Sequence, residues 1–95
     1  MILKFYVYIM ANSYNNVLYV GVTNNIKRRI KEHKKKENRG FTELYNVDKL
    51  VYYEEFFQMR KAIHREKCIK RWKRDWKNDL INNQNPDWED LSNQR

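Results

Sequence analysis

The stretch LYVGVTNNIKRRIKEHKKK, residues 18–36, decides how this chain is read. Its first part, within VLYVGV (17–22), is β-branched and aromatic and predicts a strand. Asn24 or Asn25 suits the N-cap of a basic helix that runs from about residue 25 to 36. At 100° per residue, Ile26, Arg29, Ile30 and His33 fall on a single stripe of that helix. The isoleucines must face a core, so the arginine and the histidine face it too. A chain with many lysines to place in water needs a physical reason for turning those two inward.

Working outward, FYVYIMA (5–11) reads as a second strand, and NSYNN between the two has turn composition, which gives a β-hairpin. After the basic helix come a polar loop, KENRG (36–40), and FTELYNV (41–47), to which the pattern assigns no element. KLVYYEEFF (49–57) is a third strand. QMRKAIHREKCIKRW (58–72) has helical spacing, with Met59, Ala62, Ile63 and Ile69 on one side, and KRDWKNDLINN (73–83) continues in helix until NPDW stops it. The expected architecture is α+β: a small three-stranded, antiparallel-containing sheet in the order β-β-α-β-α-α, with helices packed around it. Its 95 residues make a single domain, 1–95, large enough for one core that buries roughly 60 to 65% of the unfolded surface.

The long helix repeats the oddity of the first. Glu66 falls in the middle of the stripe set by Met59, Ala62, Ile63 and Ile69. An unpaired buried charge costs several kcal/mol, so this carboxylate must be paired, protonated, bound to a metal or placed at the lip of a cleft. An internal salt bridge to Arg29 is the structural solution, and His33 has one as well, an amphipathic residue at the core edge. Tyr8 and Tyr19 stand eleven residues apart across the turn, and a suitable register puts both phenols on one side of the sheet. Simple packing also accounts for them, since Tyr6, Tyr14, Tyr45, Tyr52 and Tyr53 show how common tyrosine is here. Together Tyr8, Tyr19, Arg29, His33 and Glu66 hold the groups needed for a proton acceptor, a phosphate ligand and a metal ligand.

Charge points the same way. The net charge of +8 is concentrated in two segments, 27–39 and 60–77, while 43–58 and 79–95 are mildly acidic. Clustering of this kind suits a polyanionic partner, whose condensed counterions are released on binding; two solvated helix faces are the other reading. The lone Cys68 excludes an internal disulfide and leaves no zinc-ligand set, which favours a reducing, cytoplasmic setting. No apolar run reaches the roughly 18 to 20 residues of a membrane span, and MILKFYVYIM enters a strand pattern without the layout of a cleavable signal.

YVYI (6–9) followed by LYVGVTNNIKRRIKEH (18–33) resembles the paired motif of the GIY-YIG nuclease family. Val7-Tyr8 matches the end of the first element, Tyr19-Val20-Gly21 the second, Arg29 an arginine eight positions after the glycine, and His33 a position four further on. REKCIKRW (65–72) matches the segment bearing the family's metal-binding glutamate at Glu66, and LINNQNPDWEDL (80–91) its carboxy-terminal element at Asn85. The likeness covers about residues 4–91 and is greatest to the small single-domain bacterial branch, which resembles the catalytic domain of the bacterial excision-repair nuclease. Tyr6 replaces the glycine that opens the first motif elsewhere, and Glu43 stands where a basic residue would suit DNA better.

The resemblance implies a Mg²⁺- or Mn²⁺-dependent endonuclease that hydrolyses a DNA phosphodiester, nicking one strand in repair or DNA processing. Glu66 would hold the metal, Arg29 the scissile phosphate, Tyr8 and Tyr19 the attacking water, with His33 as proton shuttle and Asn85 as a stabiliser at the edge of the site. Lys27, Arg28, Lys31, Lys34 and Lys35 would then track the nucleic-acid backbone, joined by Lys70, Lys73 and Arg74, or those three are solvated. Trp72, Trp76 and Trp88 either stack on unpaired bases or anchor packing. DNA is the expected partner ahead of RNA, a monomer suffices, and a non-catalytic nucleic-acid-binding module of the same fold is the alternative.

Overall fold

The computed structural model describes residues 3–35 and 46–94, with side chains to residue 92; KENRG and Glu43 lie outside the described residues. In chain order the elements are β1 (Phe5–Ala11), β2 (Leu18–Thr23), α1 (Ile26–Lys34), β3 (Lys49–Phe56), α2 (Met59–Arg71) and α3 (Arg74–Gln84), followed by a 3₁₀ turn at Leu91–Gln94. The expected order is the observed one. The three strands form one antiparallel sheet, β2-β1-β3, with β1 in the centre.

β1 is buried from Tyr6 to Ala11, as a continuous apolar run must be when both faces of its sheet are covered. Alternation divides it between two cores. Val7, Ile9 and Ala11 pack with Val20, Val51 and with Ala62, Ile69 and Ile81 of α2 and α3. Tyr6, Tyr8 and Met10 point the other way, to Ile26 and Ile30 of α1 and to Val47 and Leu50. A bulge breaks the β1–β3 register, where Ile9 faces Tyr52 but Met10 faces Leu50, so Val51 and Tyr52 both reach the α2 side.

The NSYNN turn is held by the buried Asn12, whose Oδ1 accepts the Asn16 and Val17 N–H groups at 3.0 and 3.1 Å, with Asn15 in the left-handed region at φ 58°. Asn25 caps α1, its side chain accepting the Arg28 N–H at 3.1 Å. α2 starts after Gln58 without a side-chain cap. Met59 does not join the inward stripe as its spacing predicts. It is 57% exposed, because it opens the helix beside the exposed Phe57 and Gln58, while Ala62 and Ile69 further along are buried. The long basic segment breaks at Trp72 and Lys73, which are both extended, and this separates α2 from α3.

Since β2 and β3 are both antiparallel to β1, they run parallel to each other and end level, with Tyr6 opposite Thr23 and Phe5 opposite Phe56. Both connections to helix are short. Hence α1 and α2 begin at the same end of the sheet, one on each face.

Candidate active site

Tyr8 lies at the middle of the central strand, opposite Gly21. A Cβ on Gly21 would overlap the Tyr8 hydroxyl and stand 2.5 Å from its Cζ, so only the missing side chain lets the phenol lie across β2. Tyr19, two residues earlier on β2, belongs to the same face, and its ring centroid is 6.2 Å from that of Tyr8. The register therefore places both phenols together, as the hairpin spacing allowed.

α1 lowers its polar stripe onto this pair. Arg29 Nε donates to the Tyr8 hydroxyl at 3.1 Å, and His33 Nε2 is 3.1 Å from the same oxygen. The His33 ring stands edge-on to both tyrosines, with centroids 5.7 Å from Tyr8 and 5.1 Å from Tyr19. Tyr8 and His33 are each 1% exposed, whereas Tyr19 and Arg29 are half-buried and reach solvent. The geometry gives each group a different access: two are sealed, two open outward.

The electrostatics follow from that enclosure. Burial pushes the Tyr8 phenol up to about 12, although Arg29 pulls the other way. At pH 7 the phenolate fraction is then on the order of one in a hundred thousand. Burial, with the Arg29 charge added, lowers His33 to about 4, so its imidazole is neutral throughout the physiological range. Arg29 is raised despite partial burial by its bonds to the tyrosines and to Glu32, and it stays cationic. Glu32 Oε1 accepts from Arg29 Nη1 at 3.2 Å. Within this cluster His33 Nδ1 is buried and has no hydrogen-bond partner among the described residues.

Glu66 does not form the bridge to Arg29 that packing alone offered. Its carboxylate pairs with Lys70 at 2.9 Å, one turn on in α2, and its side chain is 12% exposed. It comes from the helix that covers the opposite face of the sheet and packs on β1 and β2. The structure thus brings Tyr8, Tyr19, Arg29 and His33 into one cluster, and Glu66 is not among the partners of Tyr8, Arg29 or His33 within the described residues.

Asn85 is buried and structural in its contacts. Its Nδ2 donates to Val51 O at 3.1 Å and Glu89 O at 2.8 Å, and its Oδ1 accepts the Glu89 N–H at 3.1 Å, tying β3 to the chain beyond α3. Of the basic residues read as backbone contacts, Arg74 is committed elsewhere: its guanidinium donates to Asn16 O at 3.0 Å and Asn15 O at 2.6 Å and fastens the hairpin turn to α3. Lys34 is paired with Asp90 at 2.6 Å, and Arg28 faces Glu32 at 3.8 Å. Lys27, Lys31, Lys35 and Lys73 are exposed. Two of the tryptophans meet edge to face, Trp72 and Trp76 at 5.9 Å, and Trp88 packs on the α2 side with its Nε1 bonded to Asn82 at 2.6 Å.

Sequence reasoning missed the steric role of Gly21, the brace that Glu32 gives Arg29, and the part of Asp90, which accepts from Lys34 and from the Leu50 N–H at 3.2 Å. Glu32 was open to discovery as a carboxylate three residues after Arg29 on a helix. The other two depend on strand pairing and chain return, which leave no local signal.

A polar cluster on the hairpin and first helix of a β-β-α-β-α-α domain defines a class, and comparison with known proteins agrees. The GIY-YIG catalytic domain matches residues 4–79. This chain belongs to the GIY-YIG family. It is 41% identical over 76 residues to a UPF0213 protein of Clostridium perfringens, covering 80% of this chain and 81% of that one. A UPF0213 protein of Staphylococcus haemolyticus is 36% identical, with 82% and 94% covered. Among solved structures, the solution NMR structure of a UPF0213 protein from Bacillus halodurans superposes with a TM-score of 0.60 at 26% identity, covering 94% of each chain.

Proposed function

We propose that this protein is a divalent-metal-dependent endonuclease that hydrolyses a DNA phosphodiester and nicks one strand. The observation that carries the reading is the Arg29–Tyr8–His33 contact set against Gly21: a cation and two proton-transferring groups are held at the core edge, where apolar side chains would give the fold more stability at less cost.

Arg29 would receive the scissile phosphate. Tyr8 and Glu32 take its Nε and one Nη1 bond and Tyr19 a further one, fixing the guanidinium plane against which a phosphate would dock. Tyr19, the open tyrosine of the pair, would orient the attacking water. Tyr8 is too buried and too weakly acidic to serve as a standing phenolate, so its part is to pass a proton between hydroxyl and imidazole. His33, neutral at working pH and in contact with Tyr8, would orient the Tyr8 hydroxyl and act as a shuttle that does not retain the proton. Asn85 acts at a distance by fixing β3 against the chain end.

Glu66 suits a Mg²⁺ or Mn²⁺ ion, which takes one or two carboxylates and completes its shell with water and substrate oxygens. Its ion-pair partner among the described residues is Lys70, a half-exposed chain that can swing out, and no group of three metal-ligating side chains exists among those residues to suit a closed zinc site. When bound, the ion would supply Lewis-acid polarisation of the phosphate and charge stabilisation of the leaving oxygen.

The test is cleavage of supercoiled plasmid and branched oligonucleotides, with and without Mg²⁺ or Mn²⁺, by the parent, Arg29→Ala and Glu66→Ala. Nicking that needs metal and falls by about 10² to 10³ in both variants is the expected result. Equal activity in parent and variants would overturn the assignment. Binding without turnover in the parent would instead establish the non-catalytic module.

A further inference from the structure

A second feature lies at the same end of the sheet, on the other face. Phe56, Arg60, Lys61, His64 and Arg65 line an open groove of about 470 Å³ where β3 passes into α2. That volume lies in the range of small-ligand pockets. Its floor is the Phe56 ring, which is packed against the α2-side core. Arg65 forms a fixed wall: Glu54 holds it through Nε and Nη2 at 3.0 and 2.9 Å, and it lies 5.0 Å over the Trp72 ring. Arg60 and Lys61 are exposed and have no acidic partner among the described residues, in contrast to Arg29, Lys34, Arg65 and Lys70.

The solvent face of α2 extends this rim. At 100° per residue Arg60, His64, Lys67 and Arg71 fall on one stripe, directly opposite the buried Ala62 and Ile69, and all four are exposed. No carboxylate interrupts it. An aromatic floor beside Arg60 and Lys61, both unpaired among the described residues, and beside a carboxylate-free cationic stripe complements a planar ring joined to a chain of phosphates.

We propose that this groove holds an unpaired nucleotide of a single-stranded segment, its base over Phe56 and its phosphates on Arg60 and Lys61. The inference rests on the reading of the protein as acting on nucleic acid, and it adds a subsite to it. Because α1 and α2 start at the same end of the sheet, a strand that leaves the Arg29 cluster and turns around that end reaches the groove. A continuous straight duplex, with its bases stacked inside, offers nothing to its floor. The subsite therefore selects nucleic acid with a frayed, flapped or looped strand beside the position presented to Arg29.

Binding in EDTA separates this from catalysis. Fluorescence anisotropy with a short labelled oligothymidylate, and with an abasic phosphodiester of equal length, is measured for the parent, Arg60→Ala/Lys61→Ala and the size-conserving Phe56→Leu. The parent should prefer the oligothymidylate by about five- to a hundredfold, the range of base stacking on an aromatic ring. Phe56→Leu should abolish that preference with little change for the abasic strand, and the double variant should weaken both. Photo-crosslinking of 4-thiothymidine to a peptide spanning 56–65 in the parent is the expected result, and needs no variant to fold. Equal affinity for the two oligomers, or crosslinks confined to α1, overturns the proposal. Crosslinking here by a protein that never cleaves would sink the nuclease reading and leave the groove standing; cleavage with unaltered binding in all variants would do the reverse.

Discussion

The two faces of the sheet are built on opposite terms. Beneath α2 and α3 the contacts are Val7, Ile9, Ala11, Val20, Val51, Ala62, Ile69 and Ile81, joined by Tyr52, whose hydroxyl donates to Glu54. Beneath α1 the same strand presents Tyr6 and Tyr8, and the helix answers with Ile26 and Ile30 but also with Arg29 and His33. The first face obtains its stability from area removed from water. The second gives part of that up, since each enclosed polar atom must find a partner and His33 Nδ1 finds none among the described residues. One side of the molecule carries the larger apolar core, and the other encloses the cluster of Tyr8, Arg29 and His33.

The strongest challenge to this contrast is Ile69→Ala, which leaves a cavity in the apolar face and should cost about 2–5 kcal/mol in urea unfolding. A smaller loss than that of Ile30→Ala on the α1 side would reverse the assignment of roles.

Next comes acid. His33 is held at about 4 against an ordinary value near 6.5, so the unfolded chain binds a proton that the folded one refuses, and stability falls as pH drops from 6.5 through 4. The loss amounts to roughly 3 kcal/mol. Thermal melts across that range should show it in the parent and show it blunted in His33→Gln; parallel curves would mean that the imidazole is not enclosed.

Gly21→Ala sharpens the comparison at the site itself. Its Cβ must displace Tyr8, at about 1–3 kcal/mol, the usual range for overpacking. The Tyr8 hydroxyl proton and ring resonances should move while those of Ile69 and Ile81 stay in place. The smallest expected effect is that of Arg74→Ala. Freeing the hairpin turn should cost about 1 kcal/mol and speed amide exchange at Asn15 to Val17, with nucleic-acid affinity unchanged. A marked fall in affinity would return Arg74 to the set of backbone contacts.

The strands were legible from the β-branched and aromatic runs FYVYIMA and LYVGVT on either side of a turn, and the helices from the 3.6 period of the basic segments. So was the inward stripe of α1, from Ile26 and Ile30 alone. What the sequence hid was pairwise. Spacing shows that Glu66 turns inward but not that Lys70, one turn on, reaches it before Arg29 does. Nor does it show that Met59 opens its helix clear of the sheet, or that Arg74 grips the turn between β1 and β2. Such facts depend on which of several long side chains arrives first, and composition is silent on that order.

Asp90 lies beyond residues 4–79, where the catalytic-domain match ends, yet it joins Lys34 at the end of α1 to the backbone of Leu50, and Leu91 beside it packs on the tyrosine face. Burial would raise its carboxyl, but the bonds from Lys34 and Ser92 outweigh burial and hold it below its ordinary range. Residues 85–92 are thus a clasp over the reactive half of the domain. A fusion partner or purification handle attached there pulls on that clasp, and one attached ahead of β1 does not.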